Sequence, residues 1–414
     1  MQFFYSLAIS AARRVIPLVT RGDKANAFVQ GRKELWKQLD SIPKNANVVW
    51  MHCASLGEYE QGLPVLQGLK ASKPDYFYLV TFFSPSGYEA RSTHGVADLA
   101  TYLPWDTKKD VLRFIACVQP KMALFVKYEF WPNMIDALHK ANVPLYLIAG
   151  GFRSHQLFFK PWGGWYRKLL KSFKHLFVQN EQSLKLLHQI GITHASASGD
   201  TRYDRVGTGK APLPFMESFV GNRKCIVAGS TWPEDEAVLI DAISQTPKDW
   251  CWLIAPHEMH EEKLHQLMAK LPEGSLRYTQ SKESEFASCP VLLLDTVGML
   301  SRCYAYSDIA YVGGGMGTTG LHNILEPAAE GIPVVIGKNY QKFPEAISLI
   351  DLGGVVSISN SNNCSKQLLE LMQNEGLRNE KGNLNSAFIT QNQGATEKTL
   401  TRLNKDLMSK SQFE

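Results

Sequence analysis

The chain of 414 residues is longer than one hydrophobic core usually serves, and this length predicts two domains. Hydrophobic residues at 44% and charged residues at 20% are typical of a globular protein and exclude a disordered or fully membrane-embedded chain. The seven cysteines are scattered without a Cys-x-x-Cys pair, which favours a reducing compartment over a disulfide framework or a structural zinc site.

The positive charge is concentrated at the N-terminus. Residues 1–40 contain seven Lys/Arg and three Asp/Glu, a net charge of +4, which leaves only +1 for the other 374 residues. The apolar run at residues 3–12 is too short to span a bilayer, which needs roughly 20 apolar residues. Arg13, Arg14 and Arg21 follow this run, an order that does not indicate a secretory signal. Two interpretations remain open: a helix at the membrane interface with these arginines near lipid headgroups, or a helix packed on its own domain.

Two series of strands and helices follow. Up to residue 205, apolar runs alternate with helical patterns, which predicts a parallel sheet covered on both faces. The strands predicted there are 48–52, 77–82, 122–126, 145–149 and 176–178. Residues 206–221 contain two prolines and three glycines and are predicted to be a linker. The second series has strands at 225–228, 250–255, 291–294, 309–312 and 334–336. Two doubly wound domains joined in this way are typical of an enzyme with its ligand in a cleft.

A strand, a tight glycine-containing loop and a helix are predicted around His52-Cys-Ala-Ser-Leu-Gly-Glu58. Glu58 then lies at the carboxyl end of a parallel strand, where α/β folds keep their reactive groups. Ser55 and Glu58 also have the spacing of a helix capping box, which is a purely structural alternative. A second carboxylate, Glu129, follows the strand at 122–126 and should face the same crevice. One carboxylate is suited to accept a proton from an attacking hydroxyl while the other shapes the electrostatic field.

Two basic features complete the first domain. Arg202, in Gly199-Asp-Thr-Arg-Tyr-Asp204, is suited to bind a departing phosphate or a substrate carboxylate, with a surface salt bridge as the alternative. Residues 152–175 hold six Lys/Arg, seven aromatic residues and no acid. Such a segment fits either stacked nucleic-acid bases or a membrane interface. Because most of the chain is nearly neutral, we expect lipid phosphates and no nucleic acid as partner.

The second domain carries a glycine-rich loop after the strand at 309–312. Its glycines let the backbone approach a ligand closely and direct N–H groups at an anion. Asn323 and Glu326 follow on one helical face, where a carboxylate can bind ribose hydroxyls; a simple turn with a helix-dipole partner is the alternative. The Gly-x-Gly-x-x-Gly and Walker fingerprints are missing, which disfavours dinucleotide oxidoreduction and phosphoryl transfer from a nucleoside triphosphate.

Together these motifs resemble the bacterial Kdo transferases, which move 3-deoxy-D-manno-octulosonic acid (Kdo) from CMP-Kdo to a lipid A precursor. The resemblance covers nearly the whole chain and rests on four motifs: His52-x-Ala-Ser-x-Gly-Glu58, Glu129-x-Trp131-Pro-Asn133, Gly199-x-x-Arg202-x-Asp204, and the loop from Gly313 to Glu326-Pro-Ala. It implies a GT-B architecture, in which two Rossmann-like doubly wound domains face a central cleft. Residues 41–205 are then the acceptor-binding domain and 222–414 the CMP-sugar-binding domain.

The resemblance also implies the chemistry and the site. The reaction would be an inverting transfer in lipopolysaccharide biosynthesis that needs no metal or cofactor. Glu58 matches the family's general base, and Glu129 and Arg202 match positions that stabilise the transition state. Contacts with CMP are implied for Pro256, His257, Val297, Gly298, Met299, Asn323, Ile324, Leu325 and Glu326, with further donor contacts at Ser230, Thr231, Gly314 and Gly315. The expected location is the cytoplasmic side of a Gram-negative inner membrane, bound peripherally or anchored by residues 1–40.

Three positions depart from the family pattern. Many members have Arg where this chain has His257, and an acidic residue where it has Lys127, two residues before Glu129. Lysine often occupies the position of Arg202, a change that keeps the charge but alters the hydrogen-bond geometry. Two other functions stay open: a GT-B enzyme that uses a UDP-sugar, and a nucleotide-regulated membrane-binding protein without catalysis.

Overall fold

The computed structural model describes residues 2–19, 22–91, 95–207 and 211–411. The chain forms two compact units: unit 1 comprises Met1–Arg205 with Asn392–Glu414, and unit 2 comprises Val206–Gln391. Arg21, one of the three arginines noted above, and residues 208–210 of the predicted linker lie outside the described residues.

The described residues contain fourteen strands and eighteen α-helices in an alternating order. The strands are β1 (Val48–Cys53), β2 (Phe77–Phe82), β3 (Leu99–Tyr102), β4 (Pro120–Val126), β5 (Leu145–Gly150), β6 (His175–Val178), β7 (Ala195–Ala197), β8 (Lys224–Thr231), β9 (Trp250–Pro256), β10 (Leu276–Arg277), β11 (Val291–Leu293), β12 (Ile309–Val312), β13 (Val334–Gly337) and β14 (Val355–Ile358). The helices are α1 (Gln2–Val19), α2 (Asp23–Leu39), α3 (Leu56–Ser72), α4 (Pro85–Arg91), α5 (Lys108–Val118), α6 (Pro132–Lys140), α7 (Gly164–Lys171), α8 (Glu181–Gln189), α9 (Arg202–Arg205), α10 (Pro214–Val220), α11 (Pro233–Ser244), α12 (Glu261–Met268), α13 (Leu300–Cys303), α14 (Leu325–Ala329), α15 (Pro344–Asp351), α16 (Ser361–Gln373), α17 (Glu375–Asn392) and α18 (Ala395–Ser411).

The sheet of unit 1 is parallel, with the strand order β3-β2-β1-β4-β5-β6-β7. All six residues of β1 are buried, because alternate side chains enter two different apolar cores. Val48 and Trp50 belong to one core, and Val49 and Met51 belong to the other. Because the sheet is covered on both faces, side chains on both sides of this strand are buried and most of them are apolar.

Unit 2 repeats this doubly wound plan, with the parallel order β10-β11-β9-β8-β12-β13-β14. All ten strands predicted from the sequence are present, with ends that differ by at most three residues. The predicted linker is not wholly extended: α10 packs Phe215, Met216 and Phe219 into the apolar interior.

The C-terminal boundary of the second domain differs from the prediction of 222–414. Helix α18 belongs to unit 1, where Leu403 and Leu407 enter the core under α3. The phenol of Tyr146 on β5 also donates a hydrogen bond of 2.6 Å to Asp406. Burial of this apolar stripe explains why the last helix leaves the unit that precedes it in sequence.

Helix α1 packs on unit 1 and also exposes an apolar face. Tyr5 donates a hydrogen bond of 2.9 Å to Asp106, and Ser6 donates one of 3.0 Å to Asn133. Phe3 and Phe4 point away from the unit and are 72% and 73% exposed. The interpretation of a helix packed on its own domain is therefore confirmed, and the interpretation of a helix at the membrane interface stays a prediction. In the described part of the chain, no helix has the length and apolar character needed to cross a bilayer.

Candidate active site

Each sheet has one pair of neighbouring strands at which the strand order reverses, so that the connections after these two strands lead to opposite sides. In unit 1 this point lies between β1 and β4, and in unit 2 between β8 and β12. Ligands of open α/β sheets bind at the carboxyl ends of such strand pairs. Glu58 follows β1 and Glu129 follows β4, while Ser230 is the penultimate residue of β8 and the glycine-rich loop follows β12. The topology thus places Glu58 and Glu129 at the crevice of unit 1, and Ser230 and the glycine-rich loop at the crevice of unit 2.

The capping box, which was the structural alternative for Ser55 and Glu58, is not formed. Ser55 precedes the first residue of α3, but its side chain makes no capping hydrogen bond. Glu58 instead turns back over the loop, and its Oε2 accepts a hydrogen bond of 2.5 Å from the N–H of Ala54. The loop therefore holds the Glu58 carboxylate at the entrance of the helix and does not use it as a reciprocal cap.

Burial and a neighbouring charge make Glu58 an unusually weak acid. The pKa of Glu58 is raised to about 7, mainly by burial and to a smaller extent by the negative charge of Glu129. The hydrogen bond from Ala54 and the positive charge of Lys127 act in the opposite direction. A carboxylate with a pKa near 7 is a far better proton acceptor at neutral pH than an ordinary glutamate.

Glu129 is fixed by a buried network that begins on the neighbouring strand. Oε2 of Glu129, a residue that is 8% exposed, lies 2.9 Å from Nε2 of His52 and accepts a bond of 2.7 Å from Nε1 of Trp131. His52 is fully buried, and its Nδ1 lies 2.9 Å from the hydroxyl of Thr81. The sequence marked His52 only as the first residue of a motif; its contact with Glu129 needs the β1–β4 pairing and was missed.

Lys127 occupies a strained position at the end of β4. Its φ of 66° lies in the left-handed region, which residues other than glycine rarely adopt. Such strain concentrates at functional sites. Where the family pattern has an acid, this chain therefore places a cation whose charge lowers the pKa of Glu58.

Arg202 forms a salt bridge with Asp200, which is the structural alternative to binding a phosphate or a substrate carboxylate. Its Nε and one terminal nitrogen lie 3.0 and 2.8 Å from Oδ2 of Asp200. Asp204, from the same motif, accepts hydrogen bonds of 2.6 Å from the N–H groups of Gly394 and Thr396 at the start of α18. Part of this motif therefore holds the C-terminal helix.

In unit 2, a buried carboxylate organises the glycine-rich loop. Asp235, on α11, accepts hydrogen bonds from the N–H groups of Gly314 (2.7 Å) and Met316 (3.2 Å) and from the hydroxyl of Tyr311 (2.8 Å). The Gly314 N–H, expected to point at an anion, is thus bound by the protein. Gly314 has a φ of 89°, and a Cβ there would lie 2.0 Å from the carbonyl oxygen of Gly320. The sequence marked these glycines but not Asp235, which precedes them by some eighty residues.

Three rings meet beside this loop. Trp232 and His257 stack with their centroids 4.6 Å apart, and His257 lies 4.5 Å from His322. Nε1 of Trp232 donates a hydrogen bond of 3.0 Å to Nε2 of His322. Burial lowers the pKa of His322 to about 4, so this imidazole is neutral at pH 7. Ser230, two residues before Trp232, has a strained φ of 53°.

The other predicted nucleotide contacts differ in what they present. Val297 is 80% exposed in its loop, next to Gly298 and Met299, and Asn323 is also exposed. The side chains of Ile324 and Leu325 are buried, so these residues can offer only backbone atoms to a ligand. Oδ1 of Asn323 accepts a hydrogen bond of 3.2 Å from the N–H of Leu325, the first residue of α14. The remaining predicted contacts, Thr231, Pro256, Gly315 and Glu326, lie at the same carboxyl edge of the sheet.

The aromatic residues of the basic segment at 152–175 are divided between the core and the surface. Phe152, Phe158 and Phe173 are buried and pack with Phe130, while Trp162 is largely exposed. Its aromatic residues therefore do not form one continuous surface for bases or lipids. The described residues contain no cluster of three or more His, Cys, Asp or Glu side chains arranged to hold a metal ion.

Comparison with known proteins identifies the class. The fold is similar to the crystal structure of a putative UDP-N-acetylglucosamine 2-epimerase from Listeria monocytogenes, with a TM-score of 0.59 and 14% identity over 88% of this chain and 97% of that one. Two Rossmann-like units with this topology define the GT-B architecture, as predicted.

A protein-family model described as 3-deoxy-D-manno-octulosonic-acid transferase matches residues 29–205. The 3-deoxy-D-manno-octulosonic acid transferase of Haemophilus influenzae is 28% identical over 86% of each chain, and that of Bordetella pertussis is 27% identical over the same shares. The chain is thus similar to the Kdo transferases over 86% of its length, and these relatives imply a glycosyltransferase.

Proposed function

We propose that this protein transfers Kdo from CMP-Kdo to a lipid A precursor (lipid IVA) in lipopolysaccharide biosynthesis. The observation that carries the proposal is Glu58: a carboxylate at the carboxyl end of β1 with a pKa near 7, beside a second, fixed carboxylate. The relatives named as Kdo transferases support the choice of sugar.

In the proposed reaction, Glu58 takes the proton from a sugar hydroxyl of the acceptor. The hydroxyl oxygen bonds to the anomeric carbon of Kdo as the bond from that carbon to the CMP phosphate breaks. Attack on the face opposite the phosphate inverts the configuration, and CMP leaves as a phosphate monoester. The proton on Glu58 then passes to solvent, because the folded protein holds it with a pKa near neutrality.

Glu129 and Arg202 are proposed to stabilise the transition state. The Glu129 charge would offset the positive charge that develops on the sugar ring, and His52 and Trp131 hold the carboxylate for this purpose. Arg202 would bind developing negative charge, although Asp200 already neutralises part of its own charge. Loss of Arg202 should therefore cost less activity than loss of Glu58.

Donor binding is proposed for unit 2, at the crevice between β8 and β12. The hydroxyls of Ser230 and Thr231, the imidazole of His257 and the loop after β11 would contact CMP. Asp235 would hold the glycine-rich loop in shape without contacting the nucleotide. No metal or cofactor is proposed, so a chelator should leave the transfer rate unchanged.

The exposed apolar face of α1 is proposed to rest on the cytoplasmic face of the inner membrane. Phe3 and Phe4 would enter the interface, and the arginines after them would meet lipid phosphates. This arrangement would bring the enzyme to an acceptor that is itself a membrane lipid. Removal of residues 2–19 should lower recovery with sedimented membranes.

The direct test incubates the protein with CMP-Kdo and the tetraacylated precursor. Glu58→Gln should still bind CMP, measured as a thermal shift, but should lose transfer by about two to four orders of magnitude. Near-normal transfer by this variant would reject Glu58 as the base.

A UDP-sugar donor is the competing function, because the fold is also that of an enzyme named for UDP-N-acetylglucosamine. Ligands that bind the native state raise its melting temperature. A larger shift with UDP than with CMP would favour the competing function. CMP binding without any transfer would instead favour a non-catalytic, nucleotide-regulated protein.

A further inference from the structure

Two adjoining cavities lie on unit 1 where α1, α2 and the start of α5 meet. The larger encloses about 700 Å³ between α1 and α5, and the smaller about 340 Å³ between α2 and the loop before α5. Arg13 lines both cavities, and the two are here called together the α1–α2 groove. None of the site residues discussed above is among the described residues that line this groove.

The α1–α2 groove carries an excess of positive charge. Arg13, Arg14, Lys33, Lys108 and Lys109 line it, and among its described lining residues Asp110 is the one acid. Asp110 is already bound by Arg13 at 2.7 Å. Lysines 108 and 109 are the first two residues of α5, where the helix dipole disfavours a cation. A bound anion would relieve this repulsion.

Arg32 places a further cation in the wall of the smaller cavity. It is 4% exposed, and its terminal nitrogens donate hydrogen bonds of 3.0 Å to the carbonyl oxygens of Phe28 and Phe83. Its Nε has no hydrogen-bond partner, and no carboxylate among the described residues pairs with it. The ring of Phe28 lies 3.7 Å from the guanidinium carbon. Burial lowers the pKa of Arg32 to about 9, so its charge is held at a cost that a nearby anion would reduce.

The groove is also partly apolar and lies close to the catalytic carboxylates. The exposed side chains of Phe3 and Leu7 line its larger cavity. Phe83, whose carbonyl binds Arg32, has its ring 5.0 Å from that of Trp131. Trp131 in turn donates its 2.7 Å hydrogen bond to Glu129. Only two aromatic rings therefore separate the basic wall from the proposed reaction centre.

We propose that the α1–α2 groove binds a phosphate monoester of the acylated sugar acceptor, with its acyl chains against Phe3 and Leu7. Arginine forks and lysines match phosphate oxygens in charge and geometry. The inference rests on the proposed function, because it assigns a binding position to the acceptor of that reaction. Lipid IVA carries phosphate monoesters and acyl chains, the two features that the groove walls complement.

The test compares a groove variant with a matched control in the full-length protein. The groove variant is Lys33→Ala with Lys108→Ala, and the control is Lys140→Ala with Lys185→Ala, exposed lysines of the same unit outside the groove. We expect the groove variant to raise the KM for lipid IVA about ten- to hundredfold, with kcat and the KM for CMP-Kdo unchanged. On enzymatically dephosphorylated lipid IVA, the groove variant and wild type should have equal KM values. Equal KM values on lipid IVA itself, or the same loss on the dephosphorylated acceptor, would overturn the inference.

A binding experiment without CMP-Kdo tests this inference separately from the proposed function. Wild type should bind phosphatidylcholine vesicles that contain lipid IVA more strongly than vesicles with the dephosphorylated lipid, and the groove variant should lose the difference. Binding that depends equally on phosphatidylglycerol would indicate a general response to anionic membranes and overturn the phosphate site. Phosphate-dependent binding without transfer would leave the groove assigned and reject the proposed reaction.

Discussion

Replacing Glu58 by Gln should stabilise the fold in a way that depends on pH. Glu58 titrates near 7 in the folded protein and ordinarily near 4.5. The folded state therefore binds this proton more tightly than the unfolded state. The stability that Glu58 contributes is fully present below about pH 4.5 and is lost as the pH rises through about 7. Glutamine stays neutral at every pH and can still accept the hydrogen bond from Ala54.

The size of the effect follows from the same pKa. A tenfold change in an equilibrium constant is about 1.4 kcal/mol, so the displacement of the Glu58 pKa corresponds to roughly 3 kcal/mol as an upper limit. The carboxylate is partly open to solvent, which reduces the expected effect to about 1–2 kcal/mol. The difference in unfolding free energy between Glu58→Gln and wild type should grow by this amount from pH 4.5 to pH 8.

Urea unfolding at both pH values measures this difference. Contributions of Gln that do not involve ionisation are the same at both values and cancel. Glu89→Gln, which neutralises an exposed carboxylate of α4, is the matched control and should show no growth of the difference. A difference for Glu58→Gln that stays constant or shrinks from pH 4.5 to pH 8 would refute the burial of an ionisable base at this position.

Three further predictions follow from the two crevices. The rate of transfer should rise with pH through about 7 as Glu58 loses its proton. Glu129→Gln should move this rise to lower pH by up to about one unit, and by no more because burial is the larger cause of the raised pKa of Glu58. A pH–rate profile in which the rise does not move would contradict an effect of the Glu129 charge on Glu58. His52→Ala removes a hydrogen-bond partner of Glu129 and should lower kcat by about tenfold or more, with the KM for CMP-Kdo unchanged. A change in KM alone would contradict a positioning role for His52. Asp235→Ala frees the N–H groups of the glycine-rich loop and should weaken CMP binding, measured by calorimetry, about tenfold. Unaltered binding would show that the loop keeps its shape without this carboxylate.

The central strands could be predicted from the sequence because they are apolar on both faces. β1, β4, β8 and β9 are nearly or fully buried along their length, so apolar residues predominate in their sequences. The strands that were missed are short or lie at a sheet edge. β7 is a half-exposed Ala-Ser-Ala, and β10 has two residues. Their pairing comes from the sheet beside them and leaves no pattern of its own.

The positions of the candidate site residues followed from the βα rhythm, but their partners did not. Glu58 and Glu129 were expected to share a crevice because both follow parallel strands. The contact of His52 with Glu129 depends on the β1–β4 pairing across many residues of sequence. The contact of Asp235 with the glycine-rich loop likewise depends on the β8–β12 pairing. Local spacing carries no information on such long-range contacts.

The most direct measurement is the mass spectrum of lipid IVA after incubation with CMP-Kdo and either wild type or Glu58→Gln. The proposed function predicts a gain equal to one or more Kdo residues with wild type, and release of CMP in matching amount. Glu58→Gln should give almost none of this product while still binding CMP. An unchanged acceptor mass with folded, CMP-binding wild-type protein, or an equal gain with the variant, would contradict Kdo transfer by a Glu58 base.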